Sequence, residues 1–503
     1  MVELRLADIQ AMIVTGYGHL TYSTYMFLHV ADGPKARAWL AGIIPEVTTA
    51  RWDTRPEGRV RRPARALNIA FTAGGLEALG LLEASLRTFP LEFLEGMAEG
   101  ARSQRLGDTG GSSPEHWEIG GPAVDESGEP DPTRAVHMLL IARAPTKDEV
   151  DALCQAHRLQ WESDGGVRET VPAQEGYLPT NGREHFGFAD SISQPEIEGS
   201  PKKPAPGRSP IRAGEFVLGY PNEYDKLPPT PTVPAVTDTH DNLRGVEHAS
   251  MVGGSDSQPK KDLGRDGSYL VFRKLQQDVG GFRRYLRDNS TDPAEQNLLA
   301  AKFVGRWPSG TPLTLAPDHD DLRLAGAPQN NNFGFMDTDP EGYRCPVGAH
   351  IRRANPRDSL GGDPQGSVRS VNRHRILRRG VLYGDPLPDG VLEDDGKPRG
   401  VLFFCINTDI SRQFEFVQQM WIDNPKFAGL YTDRDPLVGS NRDPSRPEDQ
   451  GPWRMTIPRQ PVRRRLAELP RFVSVRGGGY FFLPSISALY FLAGIRNPHR
   501  QRS

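Results

Sequence analysis

The sequence contains only three cysteines, Cys154, Cys345 and Cys405, widely scattered and without a CxxC pair. That excludes a disulfide framework and any zinc ribbon or iron–sulfur cluster bound through four thiolates. Long apolar runs are also missing. Hydrophobic residues make up 37% of the chain, and no stretch reaches the roughly 18 consecutive apolar residues of a membrane span. Neither sign of charge is in excess: 61 Lys and Arg face 64 Asp and Glu, a formal net charge of -3. Such a balance gives no general pull toward nucleic acid or an anionic membrane. The opening stretch MVELRLADIQAMIVTGYGHL carries Glu3 and Asp8 and does not read as a signal peptide, so a cytoplasmic location is the expectation. GxxxxGKS/T, GxSxG and HExxH are all absent, which removes a P-loop, an α/β-hydrolase elbow and a zincin site. The twelve His residues form no ligand pair at helical spacing.

What the chain does have is length, 503 residues, together with 53 Gly and 45 Pro. Gly and Pro make about a fifth of it, against a usual share of roughly an eighth, so long ordered loops around a real core are expected. Strand-like runs alternate with amphipathic helices. Tyr25–Ala31, Ala66–Thr72, Ala135–Ala144 and His185–Phe188 read as strands, with helices from about Lys35 to Ile44, after a cap at Thr72, and after Thr146. From Pro201 to about Gly267 the composition shifts to Pro, Gly, Ser and Asp, including PPTPTVP at Pro228–Pro234. A segment this long is either a linker or a functional ordered loop. Beyond it, Ser268–Leu275 and Val401–Asn407 read as strands and Phe472–Leu483 as a pair of strands. Helices are expected around Phe282–Asn289, Pro293–Val304, Ser411–Ile422 and Ser485–Leu492. Two α+β lobes with antiparallel sheets fit this order: residues 1–212, a connection 213–267, and residues 268–503. Gly477–Gly479 lies inside a strand pattern, where a hairpin or close backbone approach is expected rather than a phosphate cradle.

Three segments are less generic. His350 lies in RCPVGAHIRRANPRD (Arg344–Asp358), isolated in a basic stretch with Pro on both sides. It reads either as a structural His or as an axial ligand to haem iron, with nearby Arg residues pairing the propionates. Asp190 lies in HFGFADSISQPEIEG (His185–Gly199), where an Asx-turn or helix cap is the bland reading. Arg378 lies in NRHRILRRGVLYG (Asn372–Gly384), among further Arg and His residues that also suit a solvated charged face.

Taken together these segments resemble the signatures of the dye-decolorizing peroxidase family of haem peroxidases. GFADS (Gly187–Ser191) is similar to the family's GxxDG motif with the distal acid, CPVGAHIRRANPRD to the segment with the proximal histidine, and ILRRGVLYG to the segment with the distal arginine. The likeness extends through DIQAMIVTGYG, ALNIAFTAGGLEALGL, GEFVLGYPNEY, GSYLVFRKLQQDV, VGRWPSGTPL, NTDISRQFEFVQQMWIDNP and RGGGYFFLPS, which span nearly the whole chain in order.

The resemblance implies two ferredoxin-like lobes of the dimeric α+β barrel type, with one haem b per chain between the sheet and helices of the C-terminal lobe. It implies a peroxidase that uses hydrogen peroxide to oxidise dyes, phenolic or other bulky donors through a ferryl intermediate. On this reading His350 holds the iron, Asp190 shuttles the peroxide proton, and Arg378 stabilises charge as the O–O bond breaks. Ser191, Ile192, Ser193 and Arg378 would border the cofactor, and Arg353 would pair with a propionate. A carboxylate accepting the other ring N–H of His350 would add imidazolate character, and the candidates are Asp409 and Glu415. Tyr383, Tyr343, Trp307 and Trp421 are candidates either for core packing or for electron transfer to large donors. Ser191 stands where the motif has Gly, and an ordinary φ there, with the hydroxyl finding a partner, is the expectation. Two other classes stay open: a haem-handling protein with weak turnover, and a non-haem binding module on the same scaffold.

Overall fold

The computed structural model describes residues 2–52, 61–125, 127–202, 209–246, 259–443, 451 and 453–499. Eight strands carry the architecture: β1 (Tyr22–Val30), β2 (Ala66–Phe71), β3 (Met138–Ala144), β4 (Gln174–Tyr177), β5 (Ser268–Gln277), β6 (Val381–Tyr383), β7 (Gly400–Asn407) and β8 (Val473–Leu483). Most carry β-branched or aromatic residues, which suit a pleated and buried surface. Their order is β7-β6-β4-β1-β3-β2-β8-β5, and β5 pairs again with β7, closing the sheet into an antiparallel barrel. Four strands come from each half of the chain. The two seams are narrow, Leu382 opposite Tyr177 and Phe482 opposite Phe71. Closure leaves no free edge along this circuit.

Side chains alternate between the two faces of a strand. Tyr25 and Phe27 from one half and Phe272, Phe404 and Phe481 from the other point into one core. The Tyr25 and Phe404 rings stack at 4.6 Å, and Phe27 meets Phe272 at 5.1 Å. The opposite face differs between the halves. On the N-terminal half it carries Met26, Leu28, Leu67, Ile69 and Leu140, covered by helices α1 (Gly33–Ile43) and α2 (Lys147–Asp164). Helix α2 opens on the expected Thr146, which forms a capping box with Glu149. On the C-terminal half the outward residues Arg273, Leu275, Gln277, Val401, Phe403, Val473 and Val475 line a cavity instead.

Three local expectations need correction. His185–Phe188 is not a strand but a tight turn flanked by an Arg183–Ala189 bridge, because Gly187 adopts φ +99°. Phe472–Leu483 is one long strand with a bulge between Val475 and Gly477, not a pair. Its glycines answer to close approach: a Cβ on Gly478 would lie 2.5 Å from Met97 Sδ. Ser411–Ile422 winds in wide π-helical turns, with Glu415 N–H donating to Ile410 O and Asp423 N–H to Gln418 O. The connection 213–267, described except for 247–258, is packed. Phe216, Val217 and Leu218 are buried, and Thr232–Pro234 joins a small three-stranded sheet. Among the described residues no helix is long and apolar enough to cross a membrane.

A stacked pair of imidazoles, His29 and His137 at 4.3 Å, lies on β1 and just before β3. His137 Nδ1 accepts the Val30 N–H, and burial together with His29 pushes its pKa down to about 4. The unfolded chain therefore binds a proton that the folded chain refuses, so stability falls as pH drops from about 6.5 toward 4. His137→Asn, which keeps an acceptor for Val30, is expected to flatten that part of the pH dependence. Denaturant midpoints measured between pH 7 and 4 test this.

Candidate active site

The cavity on the outer face of β5, β7 and β8 has a volume of about 530 Å³. Its walls are largely apolar, with Phe403 and Val475 from the sheet and Phe414, Val417 and Ile422 from the π-helical segment. His350 enters this space as the first residue of the short helix His350–Ala354. Its Nδ1–H donates to Asp435 Oδ2 at 2.8 Å, leaving Nε2 with no hydrogen-bond partner among the described residues. Asp435 is fully buried, and its Oδ1 accepts the N–H groups of Leu437 and Val438. Burial alone would raise its pKa, but the His350 ring and the backbone donors hold it below the usual carboxylate range.

Asp190 and Arg378 line the same cavity. Arg378 Nη1 lies 3.4 Å from Asp190 Oδ1. The arginine is placed by three further restraints: pairing of its backbone with Cys405 on β7, donation of its N–H to Gln194 Oε1, and donation of Nη2 to Ile192 O at 2.9 Å. Ser191, Ile192 and Ser193 also border the space. Ser193 stands among three arginines. Arg306 Nη2 and Arg357 Nη2 donate to its Oγ at 3.0 and 3.3 Å, and Arg375 Nη2 donates to its carbonyl at 2.8 Å.

This arrangement departs from the sequence reading at several residues. The carboxylate paired with His350 is neither Asp409 nor Glu415. Asp409 is turned onto Arg412, and Glu415 accepts from Arg102 and from Tyr480 Oη. Arg353 does not reach the cavity. Fully buried, it donates to the carbonyls of Gly348, Trp421, Ile422, Asn424 and Asp433, which consumes its fork in joining three chain segments. Ser191 has φ +62° rather than an ordinary value, and Ser193 has φ +64°. Of the four aromatic candidates, Tyr383, Trp307 and Trp421 are buried, whereas Tyr343 is 42% exposed, with its Oη accepting from Gln460. The sequence reading missed Asp435, Arg306, Arg357 and Arg375. The three arginines lie inside segments already singled out as basic or similar, so their signal was present; Asp435 carries none locally.

The residues present fit a haem. One imidazole nitrogen is free toward an apolar slot, an acid–arginine pair borders the same space, and arginines at its edge suit carboxylates.

No family model matches the chain. A dye-decolorizing peroxidase of Mycetinis scorodonius is 31% identical over 97% of this chain and 87% of its own length. A multifunctional dye peroxidase of an Amycolatopsis species is 28% identical over 93% and 91%. Among solved structures, a dye-decolorizing peroxidase in complex with 2,6-dimethoxyphenol superposes with a TM-score of 0.75 at 28% identity, covering 97% of this chain and 100% of that one. An ancestral D-type dye-decolorizing peroxidase gives 0.74 at 30% identity, over 97% and 99%.

A left-handed conformation costs a non-glycine residue about 1 kcal/mol. Ser191→Gly is therefore expected to raise the unfolding free energy by up to about 1 kcal/mol, part of the relief being offset by the freer unfolded chain. Denaturant unfolding of both proteins checks the sign, and a loss of stability would show that the Ser hydroxyl outweighs the strain.

Proposed function

The chain belongs to the dye-decolorizing peroxidase family, and from that premise we propose that it reduces hydrogen peroxide and oxidises dyes or phenolic donors with one haem b per chain held by His350. The observation that carries this reading is the convergence on one cavity of a carboxylate-backed imidazole and a distal acid–arginine pair. We keep the three-part organisation 1–212, 213–267 and 268–503, in which the last part supplies His350 and Arg378 and the first supplies Asp190.

When bound, the haem supplies the redox chemistry that consumes peroxide and withdraws electrons from the donor. The protein groups do the rest. Asp435 accepts the His350 Nδ1–H, fixes the tautomer and leaves Nε2 as the donor atom. Asp190 accepts the proton of one peroxide oxygen and returns it to the other, which leaves as water. Arg378 stabilises the charge developing on the departing oxygen. Arg306, Arg357 and Arg375 are the groups we assign to the haem carboxylates, a role first expected of Arg353.

His350→Ala is expected to lose haem retention or change its ligation, read from the Soret band of the haem-loaded protein. Asp190→Asn and Arg378→Leu should each retain haem while slowing the reaction with peroxide, by roughly 10²–10⁴-fold for the lost proton shuttle. Wild-type stopped-flow rates in both variants would refute the assignment.

Replacing Asp435 by Asn keeps the shape but removes the charge that the imidazole faces. We expect haem to stay bound, with the iron's reduction potential raised because the imidazole donates less electron density. A spectroelectrochemical titration giving an unchanged potential would mean that Asp435 only orients the ring.

A further inference from the structure

The loop that ends in Asp190 is held together from within by a carboxylate that no step above uses. Glu184 stands on the cavity wall. Its Oε1 accepts the Phe188 N–H at 3.0 Å and its Oε2 the Phe186 N–H at 2.9 Å, while Gln277 Nε2 donates to the same Oε2 at 2.7 Å. The main chain closes around it. The Glu184 N–H donates to Phe188 O, and its carbonyl accepts from Gly187. Immediately beyond the turn, the Ala189 N–H donates to Pro308 O and the Asp190 N–H to Gly182 O at 3.1 Å. Gln277 is the last residue of β5, whose Arg273 and Leu275 line the same cavity. The Gln277 bond thus ties the turn to β5, and a second, from His185 Nε2–H to Tyr383 O at 2.9 Å, ties it to β6.

Three donors converge on one side chain that can only accept. An ionised carboxylate satisfies all three, whereas a carboxamide must turn an NH₂ toward at least one of them. Burial pushes the Glu184 pKa up; Gln277 and the two backbone donors pull it down, and the nearby Asp190 charge works with burial. The Gln277 side chain has no other hydrogen-bond partner among the described residues, since its Oε1 is buried without one. An amide that leaves half of itself unsatisfied is there for its other half.

We propose that Glu184 is the positioning residue of the distal loop: pinned by Gln277, it holds the 184–188 turn and so fixes where Asp190 stands beside Arg378. It acts through Asp190 rather than as the proton acceptor itself, so the inference rests on Asp190 being the distal acid.

The test is a double-mutant cycle on the haem-loaded full chain with Glu184→Gln, Asp190→Asn and the pair of changes together. Two readouts are taken: the stopped-flow rate with peroxide, and the dissociation constant for cyanide from the Soret shift. Hydrogen cyanide must give up its proton to bind as an anion, so its affinity reports the distal base without turnover. Glu184→Gln is expected to bind haem at wild-type stoichiometry yet lose about tenfold or more in both readouts, and to add less than about twofold in the Asp190→Asn background. Adding Gln277→Glu to Glu184→Gln rebuilds the tie with donor and acceptor exchanged, and should recover part of the loss. A tenfold loss that repeats in full in the Asp190→Asn background overturns the proposal, as does a Glu184→Gln protein with wild-type values. Wild-type behaviour of Asp190→Asn alone overturns the distal-acid assignment, and this inference with it. Should Glu184→Gln fail to hold haem, Gln277→Met removes the tie while leaving both turn bonds intact, and the same comparison decides the matter.

Discussion

Two groups that water would solvate well, an imidazole and a carboxylate, meet in a dry part of the protein, and much of the C-terminal half is arranged to let them. Asp435 is fully buried and lies 85 residues from His350 in the chain. A buried carboxylate is costly unless every lone pair is answered. Here the answers come from one ring N–H and two backbone N–H groups two and three residues on. Holding those partners in register is the task of Arg353. Its fork joins Gly348, two residues before His350, to Asp433, two residues before Asp435, and to the end of the π-helical segment that walls the cavity. Burial pushes the Arg353 pKa down to about 10, which still leaves it cationic near neutral pH. Five carbonyls on one guanidinium form a rigid junction that a lysine, with three donors, does not reproduce.

The barrel explains why the site lies on one side only. Strands have two faces, and closing eight of them into a ring commits one face of every strand to the shared core. The N-terminal half spends its other face on packing, with α1 and α2 against Met26, Leu28, Ile69 and Leu140. In the C-terminal half the same alternation turns Leu275, Phe403 and Val475 outward into the cavity, which the π-helical segment and the segments bearing His350 and Asp190 close from the other side. The two halves therefore share a topology and divide the labour: one stabilises and the other binds.

Function was legible where it is local, and obscure where it depends on long-range contact. His350, Asp190 and Arg378 each sit in a continuous stretch whose resemblance to the family's signatures implied a role, and the structure brings all three to one cavity. Asp435 lies in DRDPLVG, where its backbone acceptances look like any Asx turn, so nothing nearby reveals the imidazole it serves. Asp409 and Glu415 are the two carboxylates that the sequence reading leaves open as partners of His350. The π-helical winding after β7 instead aims Asp409 at Arg412 and Glu415 at Arg102. Arg353 is the expected anion partner for lying three residues past His350. Burial decides otherwise, and Arg306, Arg357 and Arg375 face the cavity instead. Single strands and turns failed for a similar reason: the turn at 184–188 depends on the positive φ of Gly187, and the bulge in β8 is a register shift, neither of which periodicity encodes.

The distal loop itself shows how such a conformation is sustained without glycine. Ser191 and Ser193 both occupy the left-handed region, two strained residues within three positions. Left alone, a short loop would relax by turning these peptides over. It does not, because the peptide carbonyls are already taken: Ile192 O by Arg378 Nη2 and Ser193 O by Arg375 Nη2, both at less than 3 Å. Charge-assisted bonds of this kind are each worth more than the roughly 1 kcal/mol a left-handed residue costs, so relaxation would lose more than it regains. The same arginines that give the cavity its cationic edge thus hold the backbone beneath it in place. A Gly at position 191 would remove the strain and leave those bonds intact, which is why the substitution of Gly by Ser in the motif is compatible with a formed site. Strain here is a consequence of where the cations had to stand, and the loop carrying Asp190 takes its shape from them.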